Sequence, residues 1–220
     1  IRASSRDGAI RRVHATGGEQ CNVPGARRAA SGDSAGGAQG PAVGQWYLRA
    51  PAGEVASSIN AATAWDTTTG SASVIVAVLD TGVRSNHPDL AGKLIGGYDF
   101  VSNEAGKPLI SNDGDGRDAD PSDPGDWLTQ SEINADPTFW DGCEPSSSSW
   151  HGTMVSGIIC AATGNGAGMA GTGWNVRVMP VRVLGKCFGY TSDIIAAMKW
   201  SAGLSVPGVP TNANPAQVIN

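Results

Sequence analysis

Val74-Ile75-Val76-Ala77-Val78-Leu79-Asp80-Thr81-Gly82-Val83 is the stretch whose reading decides the fold. Six apolar, mostly β-branched residues follow one another without alternation, which suits a strand buried on both faces of a parallel sheet. The run ends on a carboxylate followed by Thr-Gly, where the backbone must turn. In open α/β sheets functional groups gather at the carboxyl ends of the strands. Asp80 therefore stands where an acid with chemical work is expected, the alternative being an aspartate that only closes a strand. Residues 176–184 repeat the apolar pattern, and Gln217-Val218-Ile219-Asn220 starts a further apolar strand. The expected class is α/β, a parallel sheet flanked by helices.

The bulk composition agrees. The 220 residues are 40% hydrophobic and include 31 glycines, as in a turn-rich α/β domain with a real core. No apolar run approaches the roughly 20 residues needed to cross a bilayer, so no membrane partner is expected. The net charge of −5 is unevenly spread: residues 1–44 carry six Arg against three acids, and 45–220 carry nine Lys/Arg against seventeen acids. An acidic folded part speaks against nucleic-acid binding. The chain opens on Ile1 without a signal-type apolar segment and reads as an excerpt of a longer precursor.

Two units are expected. Residues 1–44 have no helical or strand period and are rich in Arg, Ala, Gly and Ser, so they read as disordered or as a linker, with the tail of an inhibitory propeptide as a further possibility. Order is expected from about Gln45 through 220. Ser58 reads as the cap of a short helix over 59–65 that places Ile59, Ala62 and Trp65 on one face. A second strand is expected around 94–100, and 101–149 as one polar, Pro-rich loop. Loops that long in a compact domain are usually functional or held by an ion. The serines before His151 offer caps for a helix over about 151–162. Thr191 reads as the cap of another, with Asp193 in its first turn and Gly203 at its close.

Four cysteines show no CxxC or CxxH spacing, which speaks against zinc. Cys143 and Cys187 both sit in polar, Gly-rich loops and are the candidate disulfide, which would stabilise the fold by about 4 kcal/mol in the chain-entropy picture. Cys160 reads as a small buried apolar residue, and Cys21 has no evident partner. Six acids fall between Asp113 and Asp126 with glycines among them. Such a loop can aim several hard oxygens at one point, which suits Ca²⁺, and Asp115, Asp118, Asp120, Asp123 and Asp126 are the candidate ligands. A solvated acidic loop is the plainer alternative. The Gly166–Gly171 segment is a formal GxGxxG, but it follows an expected helix, whereas a dinucleotide fingerprint follows a strand and opens a helix. His14 and His87 read as exposed or turn residues.

The second stretch with chemistry in it is Ser149-Trp150-His151-Gly152-Thr153-Met154-Val155-Ser156-Gly157. Alone, its histidine would read as structural. An acid at a strand end precedes it, however, in the order Asp, then His, then Ser of one serine-hydrolase plan. Asp80-Thr81-Gly82-Val83 and His151-Gly152-Thr153 resemble the aspartate and histidine signatures of the subtilisin-like (subtilase) serine proteases. His87-Pro88-Asp89-Leu90, Val155-Ser156-Gly157, Gly168-Met169-Ala170-Gly171, the strand at 178–184 and Val218-Ile219-Asn220 extend the resemblance over roughly 45–220. The long insert and Cys143/Cys187 look most like secreted bacterial members.

The resemblance implies a serine endopeptidase acting on extended polypeptides, secreted, and a monomer when complete, with its own propeptide as a further partner. Asp80 and His151 would be two members of its triad. The nucleophile serine and the oxyanion-hole asparagine would lie beyond Asn220, so the 220 residues are not expected to hydrolyse peptides alone. They are expected to be poorly soluble, because the sheet would be cut at an apolar strand. Met154 stands where these enzymes usually carry a second histidine. Gly185, Gly189 and Tyr190 resemble the segment that takes substrate as an added strand. A strong calcium site would use the Asp89 carboxylate, the Asn165 side chain, and the carbonyls of Ala162, Ala167 and Met169. The rival reading is a catalytically inactive, calcium-dependent binding module, or a pseudogene product.

Overall fold

The computed structural model describes residues 12–14, 45–165 and 168–220. The elements in chain order are β1 (Arg12–His14), α1 (Ala61–Trp65), β2 (Ile75–Asp80), β3 (Tyr98–Asp99), α2 (Gln130–Ala135), α3 (His151–Cys160), β4 (Arg177–Arg182), β5 (Phe188–Tyr190), α4 (Thr191–Ser201) and β6 (Val218–Ile219). Four strands form a parallel sheet in the order β3-β4-β2-β6. The class is α/β, as the β2 run implies.

Both faces of β2 are covered, which is why its sequence does not alternate in polarity. Ile75 and Ala77 join Met179, Val181, Ala197 and Trp200 in a core under α4. Val76 and Val78 join Val178, Leu90 and Cys160 in a second core, with Val155 and Ile159 of α3 against it. Cys160 is fully buried and free, and burial pushes its thiol up to about 11. β2 and β4 run in register from Ile75–Arg177 to Asp80–Arg182, so their carboxyl ends finish side by side.

The 101–149 segment is less of a loop than its sequence suggests. It builds a core of its own: Val101, Ile110, Leu128, Phe139 and Trp140 pack with Phe188 and Tyr190 of β5. Cys143 and Cys187 form a disulfide with Cα atoms 6.0 Å apart. Inside the segment α2 is started by a capping box: the Thr129 hydroxyl accepts from the Glu132 amide, and the Glu132 carboxylate accepts from the Thr129 amide. The Thr129-x-x-Glu132 spacing was the available signal for this helix.

The helix near residue 60 starts later than expected. Asn60 caps it in the left-handed region (φ 54°), Ser58 instead bonds back to the Val55 carbonyl, and Ile59 is exposed. Thr191 is the first residue of α4 and not its cap, while Asp193 stands in the first turn and Gly203 follows with φ +82°. Of the first 44 residues only Arg12–His14 is described, and it pairs antiparallel with β5. The readings made for the rest of 1–44, including Cys21 and the side chain of His14, lie outside the described residues, as does the Ala167 carbonyl.

Candidate active site

Asp80 ends β2 and is 6% exposed. His151 opens α3, which packs against β2 and β4, so the two residues come together from different elements. His151 Nδ1 lies 2.9 and 2.8 Å from Oδ1 and Oδ2 of Asp80. A carboxylate only accepts, so the imidazole proton sits on Nδ1 and Nε2 is left with a lone pair. Among the described residues Nε2 has no hydrogen-bond partner, and the His151 side chain is half exposed against 8% for Asp80. The geometry gives an oriented base whose working nitrogen faces outward.

Two glycines permit this approach. A Cβ on Gly152 would collide with the Gly82 carbonyl and stand 3.1 Å from the Asp80 Cβ, and Gly82 takes a positive φ of 98° against the Pro121 carbonyl. The turn before α3 is set by Trp150 in the left-handed region (φ 54°), with the Arg84 guanidinium 4.8 Å above its ring. The serines do not cap α3 as a group. Ser149 accepts from the His151 amide at 3.3 Å, whereas the Gly152 amide goes to Thr81. Met154 lies half-buried one turn below His151.

Beside this pair, β5 carries Gly189 and Tyr190 and is preceded by Gly185. A side chain on Gly185 or Gly189 would strike the carbonyl of Ile110 or of Val183. Tyr190 is 3% exposed and sits in the core of the insert, its hydroxyl 3.4 Å from Glu104. The edge of β5 accepts a strand, since Arg12, Val13 and His14 pair with Tyr190, Gly189 and Phe188.

The subtilase family pattern matches residues 71–220. The chain belongs to that family. It is 47% identical over 176 residues to an extracellular protease of Xanthomonas campestris pv. campestris, covering 80% of this chain and 28% of that protein. It is 43% identical to an extracellular basic protease of Dichelobacter nodosus, over 80% and 27% of the two chains. A solved protease structure from Pseudoalteromonas arctica is similar with TM-score 0.64 and 50% identity, over 73% of this chain and 43% of that one. The chain thus spans just over a quarter of the curated relatives' lengths, 28% and 27%.

In this subtilase the acids of the insert take different partners. Asp115 and Asp120 are exposed; Asp118 and Asp120 accept from the amides of Asp120 and Ser122. Asp126 takes the Ser149 amide and hydroxyl, and Asp123 takes Thr81 and Gly125. Among the described residues no three His, Cys, Asp or Glu side chains gather as a metal site. The carboxylates of Asp118, Asp120, Asp123 and Asp126 each close a local turn or a crossing contact.

Asp89 is different. It is 3% exposed, no cationic side chain among the described residues pairs with it, and its oxygens accept from the Asn165 side chain and the Met169 amide. A Cβ on Gly168 would strike its carboxylate, and the Ala162 amide donates to its carbonyl. Gln45 bonds both ways to Ala170 beside this loop, a contact that the sequence did not suggest.

One further residue escaped the sequence reading. Arg182 lies 1% exposed in the sheet and holds Asp99 at 2.6 Å, Asp113, and the Ser111 carbonyl. An arginine inside an apolar strand was the signal, since a buried guanidinium requires carboxylates around it.

Proposed function

We propose that this chain supplies the acid–base half of a secreted serine endopeptidase that cleaves extended polypeptides. The single observation that carries the reading is the buried Asp80 carboxylate holding Nδ1 of a half-exposed His151 at 2.8 Å. With Nδ1 so held, Nε2 would take the proton of a serine hydroxyl as it attacks the scissile carbonyl. The resulting imidazolium is stabilised by Asp80, and it returns its proton to the leaving amine. The nucleophile would be the family's serine. Substrate would add to the β5 edge as an antiparallel strand, the place that Arg12–His14 takes here. The N-terminal arm and the substrate would then exclude one another, as expected if the arm is part of a propeptide. The relatives' names, extracellular protease and extracellular basic protease, support secretion.

We propose calcium as a ligand of the loop at Asp89. A carboxylate buried without a cationic partner is costly unless its charge is met, and among the described residues only the Asn165 amide nitrogen and the Met169 amide meet it. With those groups turned, Asp89, the Asn165 amide oxygen and the carbonyls of Ala162 and Met169 would be hard-oxygen ligands of the kind calcium takes. The ion would tie this loop to the segment before α3's packing partner Leu90 and take no part in proton transfer. Chelation should lower the melting temperature of the protein; an unchanged value removes the ion from the proposal.

The test of the whole reading is labelling of the full-length protein by a fluorophosphonate. Wild type should label and the H151A variant should not. Absence of labelling in native wild type favours an inactive binding module.

A further inference from the structure

The structure assigns Asp123, in the insert, as a positioning residue for the Asp80–His151 pair, acting through the hydroxyl of Thr81. The inference rests on the protease reading of that pair. Asp123 is 5% exposed, and no cationic side chain among the described residues pairs with it. Its Oδ2 accepts from Thr81 Oγ1 at 2.7 Å, and that hydroxyl accepts from the Gly152 amide at 3.1 Å.

A hydroxyl has one hydrogen. Once it is committed to a carboxylate, which only accepts, the lone pairs must face the other way. Here they face Gly152, whose amide is among the first-turn donors that α3 leaves unpaired. Trp150, at the cap position, makes no side-chain bond of its own, so the cap comes from a different element. The same Thr81 donates its amide to Asp80 Oδ1 at 2.7 Å. One residue therefore touches the acid through its backbone and the turn that carries His151 through its side chain, and Asp123 sets which way that side chain points.

Asp123 is held firmly enough to do this. Its other oxygen accepts from the Gly125 amide at 2.8 Å, its own amide donates to the Val83 carbonyl at 3.0 Å, and the Val83 amide donates to the Pro121 carbonyl at 3.1 Å. Burial raises its carboxyl above the usual range while Thr81 and Gly125 pull it back. An asparagine would offer an oxygen at the same place but could also turn its amide to donate, which leaves the Thr81 hydroxyl free to reverse.

The test is the low-field proton resonance of His151 Nδ1–H in the full-length protein, read together with kcat and KM. T81V, which keeps the shape and removes the hydroxyl, and D123A should broaden or abolish the resonance. Both should lower kcat by about tenfold to a hundredfold, the scale of small misplacements, with KM nearly unchanged. D123N should fall between, and T81S should behave as wild type. If D123A does not fold, T81V and T81S carry the comparison. Retention of the wild-type resonance and kcat in folded T81V, with loss of the resonance in D80N, overturns the role of Asp123 alone. Retention in D80N as well overturns it together with the protease reading of the pair.

Discussion

The sheet and the 101–149 insert are held together by different means. In the sheet, the β2 and β4 backbones pair along their length, and α3 and α4 cover its two faces with aliphatic side chains and Trp200. The insert has one six-residue helix, and its order comes from aromatic packing on β5, a disulfide, a capping box and charges. The sheet supplies Asp80 and the face on which α3 rests. The insert supplies the backing of the β5 edge and, through Asp123, a hold on Thr81. Rigidity beneath Asp80 and His151 is thus built from periodic structure, and the backing of the β5 edge from cross-links. That division would suit the proposed peptidase, whose catalytic groups must not move and whose binding edge must meet varied chains.

The largest break should come at Arg182, where the two regions meet, because its guanidinium spans Asp99 of the sheet and Asp113 of the insert. R182M leaves two carboxylates without their cation, and the expected loss is about 3–5 kcal/mol by thermal or denaturant unfolding. It should be measured above the value of about 7 to which burial lifts the Asp99 carboxyl. An unchanged midpoint would mean that the two regions are not coupled there. Removing the disulfide, which closes a separation of 44 residues, should cost about 2–4 kcal/mol. The loss should be confined to the insert: amide exchange should quicken around 128–146 and stay slow in β2 and β4. Uniform quickening would erase the distinction between the regions.

T129A takes away the start of α2 and should cost about 1 kcal/mol. The smallest effect is one of pH. Glu132 is partly desolvated, but its bonds to Lys186 and to Thr129 outweigh that and hold it down to about 2 from 4.5. A depressed carboxyl stabilises the fold above its unfolded value, and that contribution is lost as pH falls from about 4.5 to about 2. E132Q should flatten the wild-type acid slope in that window. An identical slope in both would detach the bridge from stability.

The sheet was legible because its signals are periodic and local. A six-residue apolar run with an acid at its end can be read one residue at a time, and so can Thr191–Gly203 as a bounded helix. The insert was legible only in its cysteines. Its core residues, Val101, Ile110, Leu128, Phe139 and Trp140, belong to short apolar pairs scattered along a polar segment and meet only in three dimensions. Spacing shows that the acids from Asp113 to Asp126 are close in sequence but not which way each side chain turns. In the structure Asp113 turns to Arg182, Asp123 to Thr81 and Asp126 to Ser149. The same limit hid the cap of α3, whose acceptor, the Thr81 hydroxyl, lies 71 residues away in the turn after β2.

The account's central claim, that Asp80 holds His151 as the proton carrier of a peptidase, is tested most directly by peptide turnover in the full-length protein and its D80N variant. Asparagine keeps the shape but can present its amide to Nδ1. The account predicts a fall in kcat on the order of 10⁴-fold, the scale found for the triad aspartate of subtilisin, itself a member of the family. KM should change little. Turnover within about a hundredfold of wild type would contradict it, since losses from mere loosening of the site reach that order.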